Sequence, residues 1–561
     1  MSENVEVRSQ RSGLVLIVAI ALLALVGAAA VLWVTRDGIG LSPDSRGYLQ
    51  AARNLAAGRG PLIPDGSGRL VLQTHLAPGY AAILSTFQKT LGDTLAPARM
   101  FNAALWVLNI SLLSMIAYRT TGRSRVAALV AGGLATLSVP MLQTHVMLWS
   151  EPTFIAGLLV TLLALGRHVT KPTIGTLIIA SLATALALMC RYAGASVVLL
   201  GGLTLLLLTN APFVLRLLQA FVFSALSCGP MLAWIVYGKL KTGGNAANRE
   251  LAWKGLPGMD KWLEGASTLG GMTLPTSGNA IIYGIGAAVS LGVIAIALLG
   301  WRGGRRATES TDVSLAPAWL FVFVYPLFIV FSISFFDALT PMDVRILSPW
   351  HVALIGACVG SIAARRDHRD WRKAGVALSG AVLVLQAIGA AGWIRSGQDK
   401  LAFAAPSWKH SQMLAWLRTL PTETHVYADR PEAVELWIDG QFAKPLPRTM
   451  NPSTKKKFTP ADYDKALSGI RIDLGLRPES GVIVFFTPGV AAKKNLVEPK
   501  QLAADLGLEV VKDFGKDGIA YGPTPRTREL ALDRYEGDLR YAGLSAADVP
   551  TTQPVPGKRV P

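Results

Sequence analysis

The sequence predicts a polytopic α-helical membrane protein of about eleven transmembrane helices, followed by a small extracytoplasmic α/β domain. Three observations predict it. Apolar residues make up 51% of the 561 positions and charged residues only 16%, against about 25% charged in an ordinary soluble domain. The mean hydropathy is +0.40. Runs long enough to cross about 30 Å of hydrocarbon as helix recur through residues 1–396 and then stop. Charge divides at the same place: of the net +18, residues 1–396 hold 31 Lys/Arg against 16 Asp/Glu, and the remainder 23 against 20. A nucleic-acid binder gathers its surplus on one soluble face, so that class is excluded, as is a disordered chain. Cys190, Cys228 and Cys358 each lie in an apolar run. They build neither a disulfide framework nor a cysteine-rich metal site.

The spans are expected near 13–35, 99–118, 126–146, 151–166, 173–190, 194–209, 211–237, 278–300, 316–336, 347–364 and 374–394, with three crowded into 173–237. The first is too long for a signal-peptide core and no small-residue cleavage site follows it. Basic residues sit at span ends of one parity: Arg119, Arg123 and Arg125, then Arg167 and Lys171, then Arg216. Arg302, Arg305 and Arg306 continue the series, as do Arg365, Arg366, Arg369, Arg372 and Lys373. The positive-inside rule makes these ends cytoplasmic and the N-terminus with them. An odd number of spans then puts residues 397–561 outside the cytoplasmic (inner) membrane, on the periplasmic or equivalent side. The inner loops are short and basic, so function is expected to face outward.

The first outer segment, 36–98, opens with Asp44 just before Arg46-Gly-Tyr48-Leu-Gln-Ala-Ala-Arg-Asn-Leu-Ala-Ala. Tyr48, Leu49, Ala52, Leu55 and Ala56 recur at helical spacing, which predicts a short amphipathic helix in the membrane interface, stopped by Gly58 and Gly60. Asp44 is either a helix cap, a task Ser42 or Ser45 also fits, or a catalytic carboxylate held at the membrane surface. His75 is either a hydrogen-bonding loop residue or a general base. Glu151 follows Ser150 and precedes Pro152 at the start of an apolar span. It is an ordinary dipole-complementing helix start or a functional acid at the membrane boundary. Arg191 lies between two apolar runs, and Arg345 shares a ten-residue outer loop with Asp337 and Asp343. Each arginine is either a snorkelling or paired side chain, Asp343 being the partner in reach of Arg345, or a phosphate ligand. Asp44, Glu151, Arg191 and Arg345 reach one membrane face from four distant segments.

At these residues the sequence resembles the GT-C membrane glycosyltransferases, nearest the protein O-mannosyltransferase and aminoarabinose transferase-like branch. The resemblance rests on Asp44-(x)3-Tyr48 with Gly58-x-Gly60, His75-(x)2-Pro78-Gly-Tyr80, Ser150-Glu-Pro-x-Phe154, Arg191-Tyr-x-Gly194 and Arg345-(x)3-Pro349, in that order over about residues 13–395. It extends loosely to Trp408-x-x-Ser411…Trp416-Leu-(x)2-Leu420-Pro. It implies transfer of a sugar, with inversion, from a polyprenyl-phosphate donor in the membrane lipid to a glycan, lipid or protein acceptor on the outer face. Asp44 would be the general base, Glu151 a second catalytic acid, and Tyr48, His75, Arg191, Arg345 and Asp343 substrate-binding residues. Ser45 stands where many protein mannosyltransferases place a second acid, which argues against protein mannosylation and against a strong metal site. No cofactor is expected to be required; a divalent cation, if present, would be held by Asp44 and Glu151.

Residues 397–522 read as the outer α/β domain, with helices at Trp408–Leu420, 431–439, 461–474 and 499–507 and strands at 424–428, 482–487, 508–514 and 518–521. It is expected to cap the cavity or select the acceptor. Lys455-Lys-Lys457 reads as solvated surface, with a lipid-headgroup site as the alternative. From 523 the chain reads as a mostly flexible tail with one helical patch at Glu529–Leu539. A transporter or flippase is the rival reading, weakened by charges gathered at one boundary and by the lack of an internal repeat.

Overall fold

The structure is a computed structural model that describes residues 2–65, 68–242, 251–273, 280–308, 311–364, 369–450, 457–477, 481–486 and 495–542. The chain forms two compact units, one of residues 1–63 and 72–402 and one of 64–71 and 403–561. The first is a multi-pass membrane unit.

Its helices in chain order are α1 (Ser2–Val34), α2 (Pro43–Ala56), α3 (Pro78–Leu91), α4 (Leu95–Thr120), α5 (Arg125–Thr136), α6 (Val139–His145), α7 (Glu151–Thr170) and α8 (Ile174–Cys190). They continue with α9 (Ala195–Leu207), α10 (Phe213–Thr242), α11 (Met259–Thr273), α12 (Ala280–Thr308), α13 (Ala316–Phe335), α14 (Val344–Ala364) and α15 (Arg369–Ser396). Ten of the eleven expected apolar runs each fall on one helix here, and the run at 126–146 falls on the pair α5 and α6. Among the described residues seven helices are long and apolar enough to cross a membrane, eight when α5 and α6 count as one broken span, while α8, α9 and α12 hold shorter apolar stretches.

The α5–α6 break bends the span by 58°. Pro140 brings no N–H to carry α5 onward, and the Ser138 hydroxyl caps the new helix by accepting from the Met141 N–H at 3.3 Å. The crowded 173–237 stretch resolves into α8, a tight turn at Tyr192–Gly194, α9 and the 30-residue α10. At one end of the bundle Asp312, in the loop before α13, pairs with Arg119, Arg123 and Arg167 at 3.3–3.5 Å. Two expected inner ends are thereby tied together.

Three features of the segments expected to lie outside go beyond the sequence reading. The first is a small hairpin of β1 (Leu62–Pro64) and β2 (Leu70–Leu72). The second is α3, whose Tyr80 meets Tyr48 edge-on at 4.9 Å, so the apolar face of α2 packs on protein. The third is α11, which lies so close to α12 that a Cβ on Gly286 would fall 2.5 Å from the Gly270 carbonyl oxygen.

The second unit holds α16 (Pro406–Lys409), α17 (Gln412–Leu417), β3 (His425–Ala428), α18 (Pro431–Trp437), β4 (Ala443–Pro445), α19 (Pro460–Gly475), β5 (Gly481–Phe485), α20 (Pro499–Leu506), β6 (Leu508–Asp513), β7 (Ile519–Pro523), α21 (Pro525–Asp533) and α22 (Tyr535–Ala542). Its sheet runs β4-β3-β5-β7-β6, with β3 parallel to β4 and β5, and β7 antiparallel to both β5 and β6. Strand β4 is short and carries a proline, and the sequence reading passes over it. The helix expected over 408–420 is broken at Ser411, whose hydroxyl caps α17. The segment from 523 differs from a flexible tail: α21 and α22 bury Ala531, Tyr535 and Leu539 against Ile472 and Leu476 of the α19 region, and Asp538 pairs with the buried Arg471 at 2.6 Å. Apolar residues spaced across two short helices made the packing hard to see. The Pro-rich end from 543, Lys455, Lys456, Arg365, Arg366 and residue 487 lie outside the described residues.

Candidate active site

The site is assembled by four helix ends and one strap. Ser42 caps α2: its N–H donates to the Ser45 hydroxyl at 2.9 Å, and the two hydroxyls lie 3.2 Å apart. Of the residues suited to capping, Ser42 therefore serves, and Asp44 in the first turn keeps its carboxylate for other partners. Residues 40–42 run alongside 146–148, with the Gly40 N–H donating to Val146 O, the Leu148 N–H to Gly40 O, and the Ser45 hydroxyl to Leu148 O. A Cβ on Gly40 would fall 2.2 Å from the Met147 sulfur. Two buried asparagines of α4 hold the far side of this strap. Asn102 donates to His145 O and Met147 O at 2.9 and 2.8 Å, and Asn109 to Pro152 O at 3.1 Å. The strap thus brings the starts of α2 and α7, and with them Asp44 and Glu151, to the same place.

Arg191 ends α8 in an extended conformation. Two glycines explain its surroundings. A Cβ on Gly194 would come 2.4 Å from Leu188 Cα, and one on Gly79 of α3 would come 2.7 Å from Met189 O. Both spots admit only a hydrogen, so the turn folds tightly over the end of α8 and α3 rests directly on it. The Tyr192 hydroxyl then ties the turn to Thr74 O at 2.8 Å.

Arg345 stands in the first turn of α14. Asp343 begins that turn by accepting the Ile346 N–H at 3.0 Å. Pro349 cannot donate to the Arg345 carbonyl one turn back, and the Ser348 hydroxyl fills the gap at 3.0 Å. The spacing Arg345-(x)3-Pro349 therefore has a local physical reason.

The four charged residues meet. Arg345 Nη1 donates to Asp44 Oδ2 at 2.5 Å, and Arg345 Nε and Arg191 Nη1 both donate to Glu151 Oε1. Trp149 lies under the Arg345 guanidinium at 4.7 Å, a cation–π contact, and its indole N–H donates to Ser42 Oγ at 2.7 Å. Exposure separates the two acids: the Asp44 side chain is 29% exposed and Glu151 0%. Burial pushes the Asp44 carboxyl up, but the Arg345 guanidinium, with Arg191 behind it, outweighs burial and holds it below the usual carboxylate range. Burial pushes Asp343 up, in spite of its hydrogen bond to Ile346.

Tyr48 is buried, bonded to Ser150 Oγ at 3.0 Å, and burial raises its phenol. His75 is exposed, its N–H on Gln73 Oε1 at 3.3 Å, close enough to Asp44 to act on it electrostatically. The Asp343–Arg345 pair suggested by their spacing gives way to Arg345 on Asp44 and Glu151, because Asp343 turns back to cap α14. Trp149, Asn102 and Asn109 escaped the sequence reading, since a boundary tryptophan and isolated amides in an apolar run carry no periodic signal. The Glu151 Oε2 and Tyr80 hydroxyl are buried with no hydrogen-bond partner among the described residues.

As a metal site the two acids are poorly arranged, because the Arg345 guanidinium lies between them. No group of three or more His, Cys, Asp or Glu gathers among the described residues. What remains is a reachable carboxylate beside two guanidinium groups. That arrangement can take a proton from an incoming hydroxyl and hold an anion.

No family model matches the sequence, and no curated protein does. Solved structures do match. ArnT from Cupriavidus metallidurans in the apo state superposes with a TM-score of 0.54 at 14% identity, covering 92% of this chain and 99% of that one. The same protein bound to undecaprenyl phosphate gives 0.53 at 13% identity, covering 90% and 99%. The chain has the fold of ArnT.

Proposed function

We propose that this protein is an inverting membrane glycosyltransferase that moves a sugar from a polyprenyl-phosphate donor to an acceptor on the outer face of the cytoplasmic membrane. One observation carries the reading: Asp44, Arg345, Glu151 and Arg191 converge from four distant segments into one cluster with a single reachable acid. The undecaprenyl phosphate held by a protein of the same fold supports a lipid-phosphate donor. The arginine-rich loop ends, two of which meet at Asp312 through Arg119, Arg123 and Arg167 away from this cluster, support an N-terminus in the cytoplasm and the site outside.

The chemistry follows from the residues. The acceptor hydroxyl gives its proton to the Asp44 carboxylate as its oxygen attacks the anomeric carbon. The bond from that carbon to the phosphate oxygen breaks on the opposite face, and the phosphate leaves with the electron pair and one more negative charge. Arg345 and Arg191 stabilise that growing charge where water is scarce. Glu151, sealed from solvent, is a positioning residue that holds both guanidinium groups. Tyr48 fixes the α2–α7 contact, His75 stands on the open side for an acceptor or sugar hydroxyl, and Asp343 places Arg345.

Membranes containing the protein, given a radiolabelled polyprenyl-phosphate sugar, should pass label to an endogenous glycan, lipid or protein. Uptake of label without transfer would replace this reading with transport.

A further inference from the structure

The geometry holds a conflict that the proposed reaction has to resolve. In-line displacement puts the base and the departing phosphate on opposite faces of a sugar ring. Here the base touches the phosphate ligand: Asp44 Oδ2 is 2.5 Å from Arg345 Nη1, and no atom fits between them. Arg345 can let go of Asp44 without being lost, because Nε stays on Glu151 and the guanidinium rests on Trp149. Glu151 in turn is anchored by Arg191 and by its place at the start of α7. The guanidinium therefore has one fixed partner on each side and one exchangeable partner, Asp44, the more exposed of the two acids.

We infer that Asp44 is the resident counter-ion of the donor-phosphate subsite, and that the lipid phosphate binds by displacing it from Arg345. The inference rests on the proposed function and adds a rule to it: the base is tied up until the donor is in place. Phosphate on Nη1 frees the Asp44 carboxylate to receive the acceptor proton, so the donor binds first and acceptor activation follows. A protein in which Asp44 and Arg345 were only structural glue would lose stability, and no affinity would be gained, when the pair is broken.

The test measures binding of a polyprenyl phosphate, the corresponding uncharged polyprenol and inorganic phosphate to the full-length protein in lipid nanodiscs. Asp44→Asn removes the competing charge and should tighten the lipid phosphate about tenfold, the factor equal to about 1.4 kcal/mol, with the polyprenol unchanged. Arg345→Gln should abolish that gain in the double variant, as coupled residues require. Asp44→Ala, checked by its melting temperature, guards against a misfolded Asn variant. Wild-type protein that binds the phosphate no better than the alcohol overturns the phosphate assignment, and this inference with it. Wild-type discrimination that Asp44→Asn and Asp44→Ala leave equal or weaker overturns the displacement alone. Inorganic phosphate competing as well as the lipid would place a free anion, not the donor, on Arg345, and would also overturn it.

Discussion

Glu151→Gln removes one negative charge from between two guanidinium groups and keeps the side-chain shape. Glu151 is fully buried, while Arg191 and Arg345 are 13% and 20% exposed. Two unit charges about 4 Å apart at an effective dielectric of about 20 attract by about 4 kcal/mol, so the two pairs hold about 8 kcal/mol of Coulomb energy. Burying the carboxylate costs several kcal/mol of that. Removing one partner of a buried pair costs about 3–5 kcal/mol, and the lower end applies because Arg345 keeps Asp44 and Trp149. An expected loss of about 3 kcal/mol should lower the melting temperature in detergent by several degrees. It should also raise the donor KM at least about tenfold, as Arg345 loses its fixed anchor. Two readouts matter because a purely structural acid would move only the first. Glu151→Gln protein with wild-type melting temperature and donor KM would refute the view that this acid holds the arginines.

Asp44→Asn should cut transfer by about 10²–10⁴, the usual worth of a general base, while remaining folded in the membrane; full activity would remove Asp44 from the base role. The same pair sets a pH dependence. Because the folded Asp44 carboxyl lies below its unfolded value of about 3.9, its stabilising effect is complete above about pH 5 and disappears as pH falls through the folded value. The stability gap between wild type and Asp44→Asn should therefore close on acidification below about pH 3.9, and a gap that widened there would reverse the sign of the pair. Gly79→Ala should destabilise by about 1–3 kcal/mol through overpacking, since its Cβ meets the Met189 backbone at 2.7 Å. It should also weaken donor binding by shifting Arg191, and an unchanged melting temperature would show that α3 moves freely.

Much of the bundle was legible because bilayer crossing is a linear constraint: a run of apolar residues must be long enough, and its charges must sit at the ends. That is why eleven apolar runs correspond to helices, and why α2 could be read with its stop at Gly58, which has a φ of +74°. The helices α3 and α11 were not legible, since a short helix between spans owes its stability to neighbours. The break in the third expected span was not read from the sequence, because a bend at Pro140 depends on where α5 and α6 find packing. In the second unit the strands with continuous apolar runs were readable, and the three-residue β4 was not.

The sequence by itself determined the membrane class, the division at about residue 400, and a shortlist of acids and arginines made conspicuous by their scarcity in apolar surroundings. Only the tertiary structure decided which partners each meets. It assigned the cap to Ser42, sealed Glu151 away, sent Arg345 to Asp44 and Glu151, and set Trp149 beneath it. The reason is physical. Whether a carboxylate is a cap, an anchor or a reachable base depends on which distant cation reaches it and how much water remains, and neither is written in its neighbours along the chain.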